Sequence, residues 1–432
     1  MQMRLSTGLL LSALLLTGSA SLAWAQDPGG IVIPSSSVPN PSGPGTLANT
    51  NVELFIPPGG MPMVAPQIPG SPGPPFSGFF YETPASIACI YQLMLPQVPG
   101  CNPNLAYMNP TGGSRAVAIV DAYHDPNAAA DFAAFSAQFG IVGGSLTQVP
   151  TAHGNGSGVC TGAVTTPVND PTGGGWALEE SLDIEWAHAM APNAAIYLVE
   201  AQSNAFTNLF CAITTAANLV SAAGGGEVSM SFGGGEFSSE VFFDGIFSGP
   251  NVVFFASSGD SPGTEYPCTS PNVVCVGGTS TGRNPVTGAF LNQETGWQVA
   301  GGGPSIYESR PGYQPFTVGP ARGVPDVSAD ANPTTGVWVL DNFPLAGSPC
   351  AAPCWFIVGG TSVASPVWAG IVNRAGNFYG SSNTELSHLY SDPSSDFNDV
   401  TIGSCGVYVG YLAGTGWDFC TGRGSPRGYA GK

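Results

Sequence analysis

Charge is scarce in this chain, and positive charge scarcest of all. Only 9% of the 432 residues are charged, 9 Lys and Arg stand against 28 Asp and Glu, and the single lysine is Lys432. A surface so poor in cations cannot neutralise phosphates, which excludes a nucleic-acid partner. Histidine occurs 4 times, so proton transfer by imidazole has few candidates. No stretch after the N-terminus reaches the ~18 apolar residues that cross a bilayer, and no membrane span is expected. Cys-x-x-Cys spacing is also missing, which weighs against a zinc site.

What is present points to acid and export. The formal net charge of -19 comes from carboxylates with little to balance them. Near pH ~3–4 most carboxylates take protons, and the chain would then carry little charge of either sign to drive it apart. A protein built for acid fits that composition, and a solubilising acidic surface is the plainer reading of it. The first residues, "MQMRLSTGLLLSALLLTGSASLAWAQ", have a basic start at Arg4, an apolar run and a small-x-small site at Ala23-Trp24-Ala25. Residues 1–25 therefore read as a secretory signal peptide cut after Ala25. The 10 cysteines fit an oxidising compartment and fall as neighbours: Cys89 and Cys101, Cys160 and Cys211, Cys268 and Cys275, Cys350 and Cys354, Cys405 and Cys420. Neighbour pairing is one connectivity among those the spacing allows.

Residues 26–78 are dense in Pro, Gly and Ser and read as an extended leader or linker, with the folded domain over 79–432. The 43% hydrophobic content is ample for one large core. Apolar strands are expected in "RAVAIVDAY", "AAIYLVEA", "EVSMSFGG", "NVVFFASSGD" and "NVVCVGGTS". Helical stretches separate them, among them "DPNAAADFAAFSAQFG" with Asp125 as N-cap and Gly140 as stop, and "TNLFCAITTAANLVSAA". Alternation of this kind predicts an α/β fold, a mostly parallel sheet covered by helices on both faces. Its site should lie beyond the C-terminal ends of the strands.

Three stretches carry chemistry. In "GGGWALEESLDIEWAHAMAP", Glu179 and Asp183 share one helical face, beside the apolar stripe Leu178, Leu182 and Trp186. Two carboxylates so close repel unless one holds a proton. Glu180 and Glu185 read as solvent-facing. In "FFASSGDSPG", Asp260 follows an apolar strand at the sheet's active edge, or is ordinary turn chemistry. In "GGTSVASPVWAG", Ser362 sits where a nucleophile would meet a helix N-terminus, or is a simple cap.

Taken together, "EESLDIEWAHAMAPNA", "SMSFGG", "SSGDS", "GGTSVASP", "FNDVTIG" and "AGTGWDFCTGRGSP" resemble, in order, the sedolisins, or serine-carboxyl peptidases, acid-acting secreted relatives of subtilisin. The resemblance runs from Tyr81 to Pro426. It implies a subtilisin-like three-layer fold that cleaves protein or peptide substrates. Ser362 would be the nucleophile, Glu179 its general base, and Asp183 the residue that orients the glutamate. Asp260 would donate a proton to the oxyanion beside the Ser362 N–H, and Ser231, Phe232, Gly233 and Gly234 would pair with the substrate backbone. The chemistry agrees, because a histidine base is protonated near pH ~4 while a glutamate of pKa ~4.3 still ionises.

The resemblance also implies one structural calcium ion, held by the carboxylates of Asp399 and Asp418 and the carbonyls of Val400, Gly414 and Gly416. In one respect the chain departs from the family, whose members carry a folded prosegment. Here only the Pro/Gly-rich leader intervenes, and it is either removed, or inhibitory, or a stalk. Two other readings compete: a subtilisin-type set of Asp121, His153 and Ser362, and a catalytically silent exported binding protein on the same fold. A monomer is the default expectation. Internal cleavage and removal of N-terminal tripeptides are not distinguished by these residues.

Overall fold

Strand Ala116–Ala122 shows how the sequence builds the layers. Val117 and Ile119 point to one face of the central sheet, where they meet Leu178, Leu182, Val363 and Val367. Ala118 and Val120 point to the other, against Leu209, Phe210 and Ile213. A strand buried on both faces reads as a continuous apolar run, which is why "AVAIV" lacks polar alternation. The computed structural model describes residues 29–432 apart from 41–42, 44, 62–68, 95–99, 285–286, 292, 316–318, 349, 351 and 407–409. The signal peptide expected over residues 1–25 lies outside the described residues.

The central sheet has eight strands. From one edge they run Thr295–Gly296, Val274–Ser280, Val252–Ser257, Gly226–Met230, Ala116–Ala122, Ala195–Ala201 and Ser145–Pro150, with Val327–Asp330 also beside Val274–Ser280. All pair in parallel except Thr295–Gly296. Helices Ala128–Phe139, Gly175–Met190 and Thr361–Ala375 cover one face and Phe206–Ala222 the other. This is the three-layer α/β arrangement expected from the strand and helix alternation. Among the described residues, no helix is long and apolar enough to cross a membrane.

Three local expectations are corrected. Helix Ala128–Phe139 is capped at Asn127, not Asp125, whose Oδ1 instead accepts from the Asn127 N–H at 2.8 Å. Gly140 does end it, with φ of 69°, a conformation that costs a Cβ-bearing residue. Glu180 and Glu185 are buried, not solvent-facing, because helix Gly175–Met190 is enclosed on every side. Each carboxylate accepts from a backbone N–H of another element, Glu180 from Asp125 and Glu185 from Leu340, both at 3.1 Å. Four neighbour disulfides form, at Cys89–Cys101, Cys160–Cys211, Cys268–Cys275 and Cys350–Cys354. The fifth expected pair does not: Cys405 and Cys420 are buried free thiols.

The Pro/Gly-rich leader contributes strands of its own. Gly30–Val32 pairs with Glu53–Ile56, which lies antiparallel to Trp355–Gly359 just before Ser362. Asn49–Thr50 pairs with Phe232–Gly235.

Candidate active site

The site is built where two helices meet the C-terminal ends of the parallel strands. Gly360, at φ of 108°, lets the chain turn from strand Trp355–Gly359 into helix Thr361–Ala375 and places Ser362 in its first turn. Ser362 is fully buried. Its hydroxyl donates to the Ser231 carbonyl at 3.0 Å, and its backbone N–H donates to the Asn51 carbonyl at 3.1 Å. The Ser231 hydroxyl bridges the two halves of the site, 2.8 Å from Asp183 Oδ1 and 3.2 Å from the Ser362 carbonyl.

Glu179 and Asp183 are fully exposed to one another's field and hidden from water. Burial, then the neighbouring Asp183 and Asp121, push the Glu179 carboxyl well above its usual range, and the nearby Ser362 hydroxyl partly offsets this. Both Glu179 oxygens nevertheless lack a partner at hydrogen-bond geometry. Asp183 is raised by burial, with the Ser231 hydroxyl opposing. Asp121 joins them: it is raised by burial and by Asp183 and Glu200. A cluster of this kind cannot ionise as a whole and shares protons among its members.

Asp260 is held on the opposite side by the start of the Ser362 helix. Its Oδ1 accepts from the Thr361 N–H at 2.7 Å and the Thr361 hydroxyl at 2.9 Å. Its Oδ2 is buried without a partner. Burial outweighs the helix-terminal hydrogen bonds and lifts its pKa well above the carboxylate range. A Cβ on Gly360 would lie 2.1 Å from the Asn51 oxygen and 2.6 Å from Asp260 Oδ2, so both atoms crowd one small space.

The subtilisin-type alternative is not assembled. His153 is an exposed residue on a strand paired with Cys160–Thr161, and Asp121 faces Asp183 rather than an imidazole. The remaining histidines are engaged elsewhere: His124 with Glu200 at 2.8 Å, His188 against Phe132, and His388 stacked on Tyr379. His188 shares the helix of Glu179, but burial lowers its pKa to about 4. Sequence reasoning missed Asp121 as a neighbour of the acid pair, the Ser231 hydroxyl, Thr361 and Asn51. The leader offered no chemical signal for Asn51, which the pairing of Asn49–Thr50 with Phe232–Gly235 carries to Ser362.

The residues expected to hold calcium lie in one loop cluster. Asp399 Oδ2 accepts from the Gly416 N–H at 3.0 Å, and Asp418 Oδ2 from the Gly414 N–H at 2.9 Å. Thr421 reaches the Val400 carbonyl at 3.4 Å and Asp418 Oδ2 at 3.2 Å. Asp399 Oδ1 is buried with no partner. An all-oxygen donor set with an orphaned carboxylate oxygen fits a hard cation. A separate buried cluster, Asp125, Asp131 and Asp341, also brings three carboxylates together.

No family model matches the chain. It is 33% identical over 307 residues to kumamolisin of Bacillus sp. (strain MN-32), spanning 62% of this chain and 52% of the relative. It is 35% identical over 184 residues to sedolisin of Pseudomonas sp. (strain 101), spanning 39% of this chain and 29% of the relative. The chain thus spans about half or less of the length of these relatives. The solved structure of Pseudomonas sedolisin, a serine-carboxyl proteinase complexed with two molecules of pseudo-iodotyrostatin, superposes with a TM-score of 0.63 at 25% identity, over 81% of this chain and 96% of that one. The sequence likeness and the shared architecture agree: the chain is similar to kumamolisin and sedolisin in sequence and shares the fold of the Pseudomonas sedolisin structure.

Proposed function

We propose that the protein is a secreted serine-carboxyl peptidase that works in acid, with Ser362 as nucleophile and Glu179 as general base. The observation that carries this reading is the grouping of Ser362, Ser231 and the buried acids Glu179, Asp183 and Asp260 in a site that no histidine enters. A peptide lying antiparallel to Phe232–Gly235 would present its carbonyl to Ser362. Glu179 acts in the state in which it is the ionised member of the proton-sharing cluster: it takes the hydroxyl proton as Ser362 Oγ attacks, while Asp183 and Asp121 hold the cluster's protons and Asp183 steadies the glutamate.

The oxyanion that forms meets two donors, the Ser362 N–H and a protonated Asp260. Thr361 occupies Oδ1 of Asp260 with donors, so the carboxyl proton belongs on Oδ2, the oxygen left free. Collapse expels the amine with the proton from Glu179, and water then hydrolyses the acyl-enzyme by the same path. Asp260 donates only while protonated, so activity is present in acid and is lost as pH rises through its elevated pKa.

Calcium would be held by Asp399 and Asp418 with the Val400, Gly414 and Gly416 carbonyls, and its part is structural. Export from the cell and a monomeric state complete the reading. Cleavage of a denatured protein substrate measured from pH 2 to 9 tests it. An acid optimum that collapses toward neutrality supports carboxylate catalysis, and a neutral or alkaline optimum overturns it.

A further inference from the structure

A segment within the leader, residues 48–54, lies in the cleft as a substrate would. Thr50 pairs with Phe232 and Asn49 with Gly233, antiparallel, on the edge expected to receive substrate backbone. Upstream, the Ala48 N–H donates to the Asn204 carbonyl at 2.8 Å, and Asn204 Nδ2 donates to the Ala48 carbonyl at 2.8 Å. Downstream, Glu53 pairs with Gly359 and Leu54 with Val358. Between these anchored flanks, the Asn51 carbonyl accepts from the Ser362 N–H, the atom pair an oxyanion hole would use.

The Asn51 side chain has a fitted pocket. It is 1% exposed, and its Nδ2 donates to Ser257 Oγ at 2.8 Å and to Glu265 Oε2 at 3.3 Å. Asn49 Nδ2 donates to its Oδ1 at 3.2 Å, so both ends of the carboxamide are read. Glu265 fits there because Gly233 and Gly259 have no side chains: a Cβ on either would stand 2.2 Å or 2.8 Å from its carboxyl group.

We infer that the Asn51–Val52 peptide bond is a self-cleavage site, and that Ser257 and Glu265 give the pocket before the cut bond a preference for a carboxamide side chain. This inference rests on the proposed function. Ser362 Oγ bonds to the Asn51 carbonyl carbon, the C–N bond to Val52 breaks, and the Val52 amine leaves with the proton that Glu179 took from Ser362. Water then cleaves the ester, leaving Asn51 with a free carboxyl group. Val52 and Leu54 are buried in the main core and stay with the body, so the cut divides the leader just before its packed strand Glu53–Ile56.

The test is to hold the purified full chain at pH 4 and follow it by intact mass and N-terminal sequencing, with Ser362→Ala and Glu179→Gln in parallel. The wild type should acquire an N-terminus at Val52 while both variants keep the bond. A synthetic peptide of residues 47–54 should be cut after asparagine, and its Asn51→Leu version at least ~100-fold more slowly, because the pocket's polar groups would be left unpaired. Hydrolysis of an unrelated peptide, measured in the same samples, separates the two ideas. A wild type that hydrolyses it but keeps Asn51–Val52 intact, or is cut elsewhere, overturns the self-cleavage site alone. Cleavage at Val52 in the variants also overturns it, and a wild type inactive on every substrate overturns both readings.

Discussion

Asp326 and Asp183 are both fully buried, yet they are neutralised by different means. Asp326 has Arg322 in a two-point ion pair, 2.7 Å at Oδ1 and 2.6 Å at Oδ2, with Tyr390 and the Cys275 N–H completing its shell. Glu82 has Arg283 at 2.7 Å and 3.1 Å. Asp183, Glu179, Asp121 and Asp260 have no ion-pair partner among the described residues, and burial raises each of them. A chain with 9 basic residues spends two of them on fixed architecture and leaves the site to protons. The comparison separates charge that holds the fold from charge that has to move. A cation beside Glu179 would lock it ionised and depress Asp260, removing the donor proposed for the oxyanion.

Removing the base breaks the comparison most sharply. Glu179→Gln keeps the shape and deletes the proton acceptor, and should lower kcat by about 10²–10⁴-fold, the range for a general base. Thermal unfolding should be nearly unchanged, because the glutamate oxygens make no hydrogen bond that would be lost. Wild-type turnover in this variant would remove Glu179 from its role.

The opposite outcome is expected at the ion pair. Arg322→Met leaves Asp326 buried without its cation and should cost about 3–5 kcal/mol of stability, read from denaturant unfolding. Asp183→Asn should cost little stability and much activity, since it removes a carboxyl that burial already disfavours as an anion. Equal stability losses in the two variants would show that the architectural and catalytic acids are not distinct.

Calcium gives a smaller effect, away from both. If Asp399 and Asp418 hold the ion, stability gained at 100-fold excess over Kd is about 2.7 kcal/mol, and chelation should lower Tm accordingly. Asp418→Asn should remove the dependence on calcium while leaving the pH profile of cleavage in place. A melting curve that chelator does not move would refute the site.

The residues that show themselves in sequence are those whose chemistry is local. Strand Ala116–Ala122 declares itself because its side chains from Ala116 to Val120 face apolar layers. Glu179 and Asp183 are legible because one helical turn sets their distance, and Ser362 because Gly360 and the following helix fix its position. Glu180 and Glu185 were misread because the same local pattern serves a solvated helix, and only the packing of Asp125 and Leu340 against them reveals burial. Asn51 was beyond reach for a related reason. Its partners Ser257, Glu265 and Ser362 lie more than 200 residues away, and no periodicity within "LANTNVELF" records them.

The gentlest effect per step is the response of stability to pH, and its direction is the reverse of the ordinary one. Burial lifts Glu53, Glu265 and Glu308 to about 7 and Glu240 to about 8. Each therefore holds a proton in the native state that the unfolded chain releases above pH ~4.5. Their contribution is fully present below that pH and is lost as pH rises through 7 to 8. For Glu265, the most deeply enclosed, this amounts to at most about 1.4 kcal/mol per pH unit between pH ~4.5 and its folded pKa, and solvent screening makes the contribution of Glu53, Glu240 and Glu308 smaller. Tm should be highest near pH 4 and fall steadily toward pH 8, whereas salt-bridged carboxylates alone would make it rise. Calorimetry across that range decides the matter, and a Tm that climbs from pH 4 to 7 would mean these carboxyls are charged in the native protein. The unpaired acids would then need a neutralising partner, and the distinction between the site and the Arg322–Asp326 pair would fail.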